Sequence, residues 1–195
     1  MAFSDACRWI DEHVEEMVAL QEELTKRVAL GPENGGEGEW EKARFLEDYL
    51  DGCGFPAPQH YDCPDERVPE GSRPNMLVTL GDSNSHPAVF VMTHLDVVPP
   101  GKRLPDGGWK GWDSDPFQVK REGDRLYGRG VEDNQQSMVA SVFAVRALLE
   151  TETALPQPAS LLVVSEEETG SAYGLTHDLE NYPELFSTDD IIIVP

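Results

Sequence analysis

Four short apolar runs, "NMLVTLG", "PAVFVMTHLD", "ASLLVVS" and "DDIIIVP", narrow the folds open to this chain more than any other feature. Each is rich in Val, Ile and Leu and bounded by turn residues, which reads as a buried strand, the second of them central. Between them the apolar residues recur at helical spacing. Ile10, Val14, Met17, Leu24 and Val28 predict one amphipathic helix from Asp5 to Val28. A second helix is expected from Glu39 to Leu50, closed by Gly52 and Gly54, and a third from Asp133 to Glu150, with Met138, Val142, Val145 and Leu149 on one face. "PAPQHYDCPDERVPEGSRP" reads as irregular connection with one short edge strand, and "FQVKREGDRLYG" as a hairpin turning at Gly123 and Asp124. Alternating strand and helix predicts an α/β layer fold with a largely parallel sheet.

The 195 residues suit one domain of ordinary size. A domain rarely stops on an apolar strand with nothing to cover it, so "DDIIIVP" at the end reads as the interior of a longer chain. Thirty-seven acidic against 15 basic residues give a net charge of −22, which repels phosphate backbones and anionic lipid. Neither nucleic acid nor a membrane is an expected partner. The acidic start "MAFSDACRWIDEHVEEM" is unlike a signal peptide, and a cytoplasmic location is expected. Cys7, Cys53 and Cys63 are odd in number and lack C-x-x-C spacing, so they read as reduced thiols outside any zinc site.

Three polar clusters fall at strand ends, where α/β sheets place their ligands. In "THLDVVP", His94 and Asp96 lie two residues apart on an extended chain and share a face. Asp96 can then hold one imidazole nitrogen while the other is free for a metal. In "YGRGVEDNQQSM", Asp133 stands where a helix begins. The string lacks the third glycine of a dinucleotide fingerprint. In "LLVVSEEETGS" an apolar run ends in Glu166, Glu167 and Glu168, and two of these serve one site only if the chain turns, a freedom Gly170 can supply. Taken singly, each cluster has a plainer reading: a strand-capping His, a helix N-cap at Asp133, a solvated acidic turn. Together they supply the nitrogen and oxygen ligands and the base of a two-metal hydrolytic site.

The ordered set "HLDVVP", "WDSDPFQVKREGDRLYGRGVEDN" and "SEEETGS" resembles the N-terminal half of the catalytic domain of the M20 family of metallopeptidases and deacylases, over nearly the whole chain. The resemblance implies a three-layer zinc-peptidase-like domain, cut before the lid domain and the C-terminal half. It implies that His94 and Glu168 each bind one of two Zn2+ (or Co2+) ions, that Asp133 bridges them through a cis Asp133–Asn134 peptide, that Asp96 orients His94, and that Glu167 is the general base. Glu166, where the family often has Asp, receives no ligand role. "N-Q-Q" follows Asp133 where the family often reads "D-K-G".

The implied reaction is hydrolysis of the amide bond of a small N-acyl amino acid or short peptide, by a metal-bridged water whose proton Glu167 takes. A further acid just past Pro195, a distant His, and the lid through which the family dimerises would lie outside these residues. Each metal then keeps two protein ligands here, and weak zinc binding with little activity is the expectation for this chain. Two other classes stand beside it: a non-catalytic homologue serving as a binding or scaffold module, and an adventitious calcium surface, which no EF-hand loop supports. Trp109 and Trp112, in a loop bordering the site, read better as loop packing than as substrate contacts.

Overall fold

The computed structural model describes residues 3–82 and 84–195. In chain order its elements are helices α1 (Phe3–Glu12), α2 (Val14–Lys26) and α3 (Trp40–Gly52), then strands β1 (Gln59–His60), β2 (Cys63–Pro64), β3 (Ser72–Arg73), β4 (Met76–Leu80) and β5 (Val89–His94). A hairpin follows, β6 (Lys120–Glu122) and β7 (Arg125–Tyr127), then α4 (Gln136–Glu150), β8 (Ala159–Val164), α5 (Leu175–Asn181) and β9 (Ile191–Ile193).

The main sheet runs β1-β4-β8-β5-β9. β5 lies parallel to both β8 and β9, whereas β4 is antiparallel to β8 and to β1. The sheet is therefore mixed, not largely parallel. Residues 81–88, which join β4 to β5, are too few for the crossover of a dozen or more residues that parallel strands require. Alternation along the strands divides the core. Met76, Val78, Leu161 and Val163 face Leu20, Leu24, Leu46, Leu50, Val142 and Phe143 of α2, α3 and α4. Leu77, Phe90, Met92, Leu162 and Val164 face the opposite way, toward Leu175, Leu185 and Phe186. The result is three layers, with about 1.5–3 kcal/mol of hydrophobic stabilisation for each large side chain fully buried.

The first expected helix is two. The chain breaks at His13 (φ −114°, ψ 17°), whose ring stacks on Trp9 at 3.8 Å and whose Nδ1 lies 2.6 Å from the Trp9 carbonyl. The α3 helix and the β6–β7 hairpin follow the expectation, and β1 is the short edge strand. β9 pairs with β5, yet Ile191, Ile192 and Ile193 remain about half exposed. No described helix is long and apolar enough to cross a membrane. The three cysteines are free thiols.

Candidate metal centre

His94 and Val164, at the carboxyl ends of β5 and β8, are register partners, so the segments that follow them emerge side by side. The His94 ring is 5 % exposed. Its Nδ1 lies 3.0 Å from the backbone carbonyl of Asp96 and 3.4 Å from the Asp96 carboxylate. A proton on Nδ1 satisfies that carbonyl and leaves Nε2 free to bind a cation. The Asp96 main chain thus shares the hold on the imidazole with the carboxylate that the spacing suggests. The buried carboxylate does something else: its two oxygens accept the backbone N–H groups of Glu167 and Glu168, each at 3.0 Å.

Asp133 is not a helix N-cap. It lies in an irregular turn, residues 131–135, with φ −111° and ψ 100°, ahead of α4, and the Asp133–Asn134 peptide is cis. Its carboxylate approaches His94 Nε2 at 3.2 Å. The turn is tied down on several sides. Gly130 has φ 78°, and a Cβ there would fall 2.6 Å from Val97 Cγ1. The Gln135 side chain accepts from Thr25 at 2.7 Å, Gln21 donates to the Val131 carbonyl at 3.1 Å, and Asn134 Oδ1 accepts the His94 N–H at 3.2 Å. Asn134 and Gln135, the first two residues of the "N-Q-Q" departure, therefore buttress the turn.

After β8 the chain turns at once, and the turning residue is Glu166 (φ 57°), not Gly170, whose positive φ closes the turn. Glu166 is buried, and its carboxylate accepts from the Tyr173 N–H at 2.7 Å and the Thr169 hydroxyl at 3.2 Å. Only two of the three consecutive acids are left to face the site. Glu167 Oε2 lies 3.8 Å from His94 Nε2, and Glu168 joins His94 and Asp133 in a set of three donors whose ligand atoms all lie within 4.8 Å of one another.

Charge around this set is unbalanced. Burial raises the Glu168 carboxyl, and the neighbouring Asp133 carboxylate raises it further. Burial opposes a charge on His94, but its hydrogen bond to Asp96 and the charges of Asp96 and Glu167 outweigh that, and the ring is pushed up to about 9. Acids that repel one another around an imidazole are the setting in which a bound cation is stabilising. One nitrogen and two carboxylates also match the three protein ligands of a catalytic zinc site. The three donors together could hold a metal ion. Zinc titration of the chain is expected to show one ion per chain, with affinity cut at least ~100-fold in Asp133→Ala, beyond the 10- to 100-fold typical of losing an outer partner. Equal affinity in that variant would remove Asp133 from the centre.

Behind the donors lies a feature that strand-end reasoning missed. Lys42 is buried on α3, and its ammonium donates to the Leu95 carbonyl at 2.9 Å. Burial pushes it down to about 8, against the charges of Asp96 and Glu39. Glu39, also buried, takes two hydrogen bonds from buried Arg73, one of them at 2.6 Å. A signal was present in the sequence: Glu39, Lys42, Ala43, Leu46 and Leu50 share one helical stripe, and two of the five are charged. Trp109 and Trp112 pack within their loop. Trp112 donates to the Pro100 carbonyl at 2.9 Å and lies under Arg129, while Trp109 meets Phe117 edge-on.

Beyond the parallel strands of an α/β sheet converge an imidazole and two carboxylates that could hold a metal ion. Residues 90–191 match the model of peptidase family M20/M25/M40, and the chain belongs to that family. It is 31% identical over 190 residues to an uncharacterized metallohydrolase of Methanocaldococcus jannaschii, covering 93% of this chain and 44% of the relative. It is 33% identical over 177 residues to succinyl-diaminopimelate desuccinylase of Gluconobacter oxydans, covering 91% and 41%. The crystal structure of human carnosine dipeptidase 1 superposes with a TM-score of 0.76 at 27% identity, covering 98% of this chain and 40% of that one. The chain thus spans less than half the length of these relatives.

Proposed function

We propose that the chain carries the metal-binding half of the centre of a zinc-dependent hydrolase that cleaves the amide or peptide bond of a small N-acyl amino acid or short peptide. The observation that carries this reading is the convergence of His94, Asp133 and Glu168, with Glu167 at their edge. The names of two relatives, a desuccinylase and a dipeptidase, are both consistent with an amide bond as the target. Bound zinc or cobalt, one ion here and a second where further donors are supplied, would polarise the scissile carbonyl and acidify water toward a pKa of ~7.

In this reading His94, Asp133 and Glu168 hold the metal, and Asp96 fixes the acidic turn through both amides. Glu167 stands outside the donor set, with its side chain 42 % exposed toward incoming substrate and water. It is positioned to take a proton from water and hand it to the leaving amine. A homodimer formed through a lid and a cytoplasmic location belong to the same proposal, and light scattering of a protein extended to its relatives' length tests the first of these. The net charge of −22 supports partners other than nucleic acid or membrane.

The test is Glu167→Gln in the extended protein, assayed on N-acyl amino acids and dipeptides. Turnover is expected to fall ~100- to 10,000-fold, with zinc affinity retained. Unchanged turnover would sink the role of Glu167. Zinc binding without turnover in the unaltered extended protein would favour a binding module. The 195-residue chain alone is expected to turn over little substrate, and full turnover would show that its three donors suffice.

A further inference from the structure

Lys42 reaches the centre from α3 without touching a metal donor. Leu95, whose carbonyl it takes, is the residue between His94 and Asp96. The Leu95 amide donates to the Val164 carbonyl at 2.9 Å, so this residue is held by β8 on one side and by α3 on the other. The next anchor along the chain is the Val97 amide, on the Ala29 carbonyl at 3.0 Å. Packing alone does not call for a charge here, because Ala43, Leu46 and Leu50 complete the same stripe and an apolar side chain would fill the space. Burying an ammonium costs several kcal/mol unless opposite charges face it. Those that do are Asp96 and Glu39, and Glu39 already has Arg73. Asp96, the other, carries the Glu167 and Glu168 amides.

We propose that Lys42 is a positioning residue for the metal centre. By clamping the Leu95 carbonyl, it holds the segment from His94 to Asp96 so that Asp96 keeps the amides of Glu167 and Glu168 in place. It thereby sets the affinity of the donor set for a divalent cation. This rests on the reading of His94, Asp133 and Glu168 as metal ligands.

The experiment is zinc titration by calorimetry on the 195-residue chain and on Lys42→Met, Asp96→Asn, the double variant and His94→Ala, with thermal unfolding of each in the absence of metal. Lys42→Met is expected to lower zinc affinity 10- to 100-fold, the range for losing a partner behind the ligands. The double variant is expected to lose little more than the worse single one, since both act through one path. A purely structural lysine would shift the unfolding midpoint and leave affinity alone. Should Lys42→Met not fold, Lys42→Leu removes the same donor and is read in the same way. Parent affinity in these variants, with binding abolished in His94→Ala, would overturn this inference and leave the metal centre standing. No zinc binding by the parent chain would overturn both.

Discussion

Asp178→Asn is expected to stabilise the chain progressively as the pH rises from 5 to 7 and to hold that advantage at pH 8. Asp178 lies on α5 with no exposed surface, and neither carboxylate oxygen has a hydrogen-bond partner among the described residues. Burial, with the nearby charge of Asp62, pushes the carboxyl up to about 7. The sign follows from proton counting. Between an unfolded value of ~3.9 and the folded value, the folded chain holds a proton that the unfolded chain has released, so stability falls as the pH rises through this window. Asparagine has the same shape and no charge to bury, and it escapes that loss. Its advantage should grow by about 1.4 kcal/mol per pH unit, on the order of 3 kcal/mol from pH 5 to 7, and then level off. Urea unfolding of both proteins at pH 5, 7 and 8 measures it, and a constant offset at all three would refute it.

Breaking the buried pair of Glu39 and Arg73 is expected to be as damaging, by a different route. Both side chains are sealed from solvent. Burial pushes the Glu39 carboxyl up, and the guanidinium of Arg73 holds it against that push. Glu39→Ala would leave the guanidinium buried with only the longer approaches of Asp65 at 3.5 Å and Glu33 at 3.7 Å, and Asp65 is already committed to Arg67. Losing one partner of such a pair typically costs ~3–5 kcal/mol, whereas replacing both by apolar residues of similar size is often neutral. Glu39→Met with Arg73→Met is therefore expected to be less destabilised than Glu39→Ala alone in denaturant unfolding. A double variant as damaged as the sum of its singles would show that the two side chains are not coupled and would refute this account.

Much of the frame was legible because it rests on local patterning. The apolar runs became β4, β5, β8 and β9, and helical spacing located α3 and most of α4. The convergence of His94, Asp133 and Glu168 was legible because polar residues at the ends of apolar runs have few neighbours to choose among. The direction of β4 could be read only from the shortness of residues 81–88, which the alternation of elements concealed. The break at His13 was hidden because Ile10, Val14 and Met17 keep their helical spacing across it. The cis peptide at Asp133 was legible only through the family resemblance, because an acid before a helix ordinarily caps it. Lys42, Glu39 and Arg73 escaped because charged residues are normally solvated; a place in an apolar stripe argued otherwise for Lys42 and Glu39, and nothing did for Arg73.

The pairing of β5 with β8 also sets an order of events. The two strands meet only after the hairpin and α4 between them have been looped out, and His94 meets Glu168 only once they have met. Closing so long a loop costs entropy before any contact returns it, which places this pairing among the slow steps of folding. On the proposed reading a cation would find its donors together only when the pairing is complete. Its stabilisation would then belong to the unfolding barrier: metal would act as a latch on the finished domain and leave the rate of its assembly unchanged.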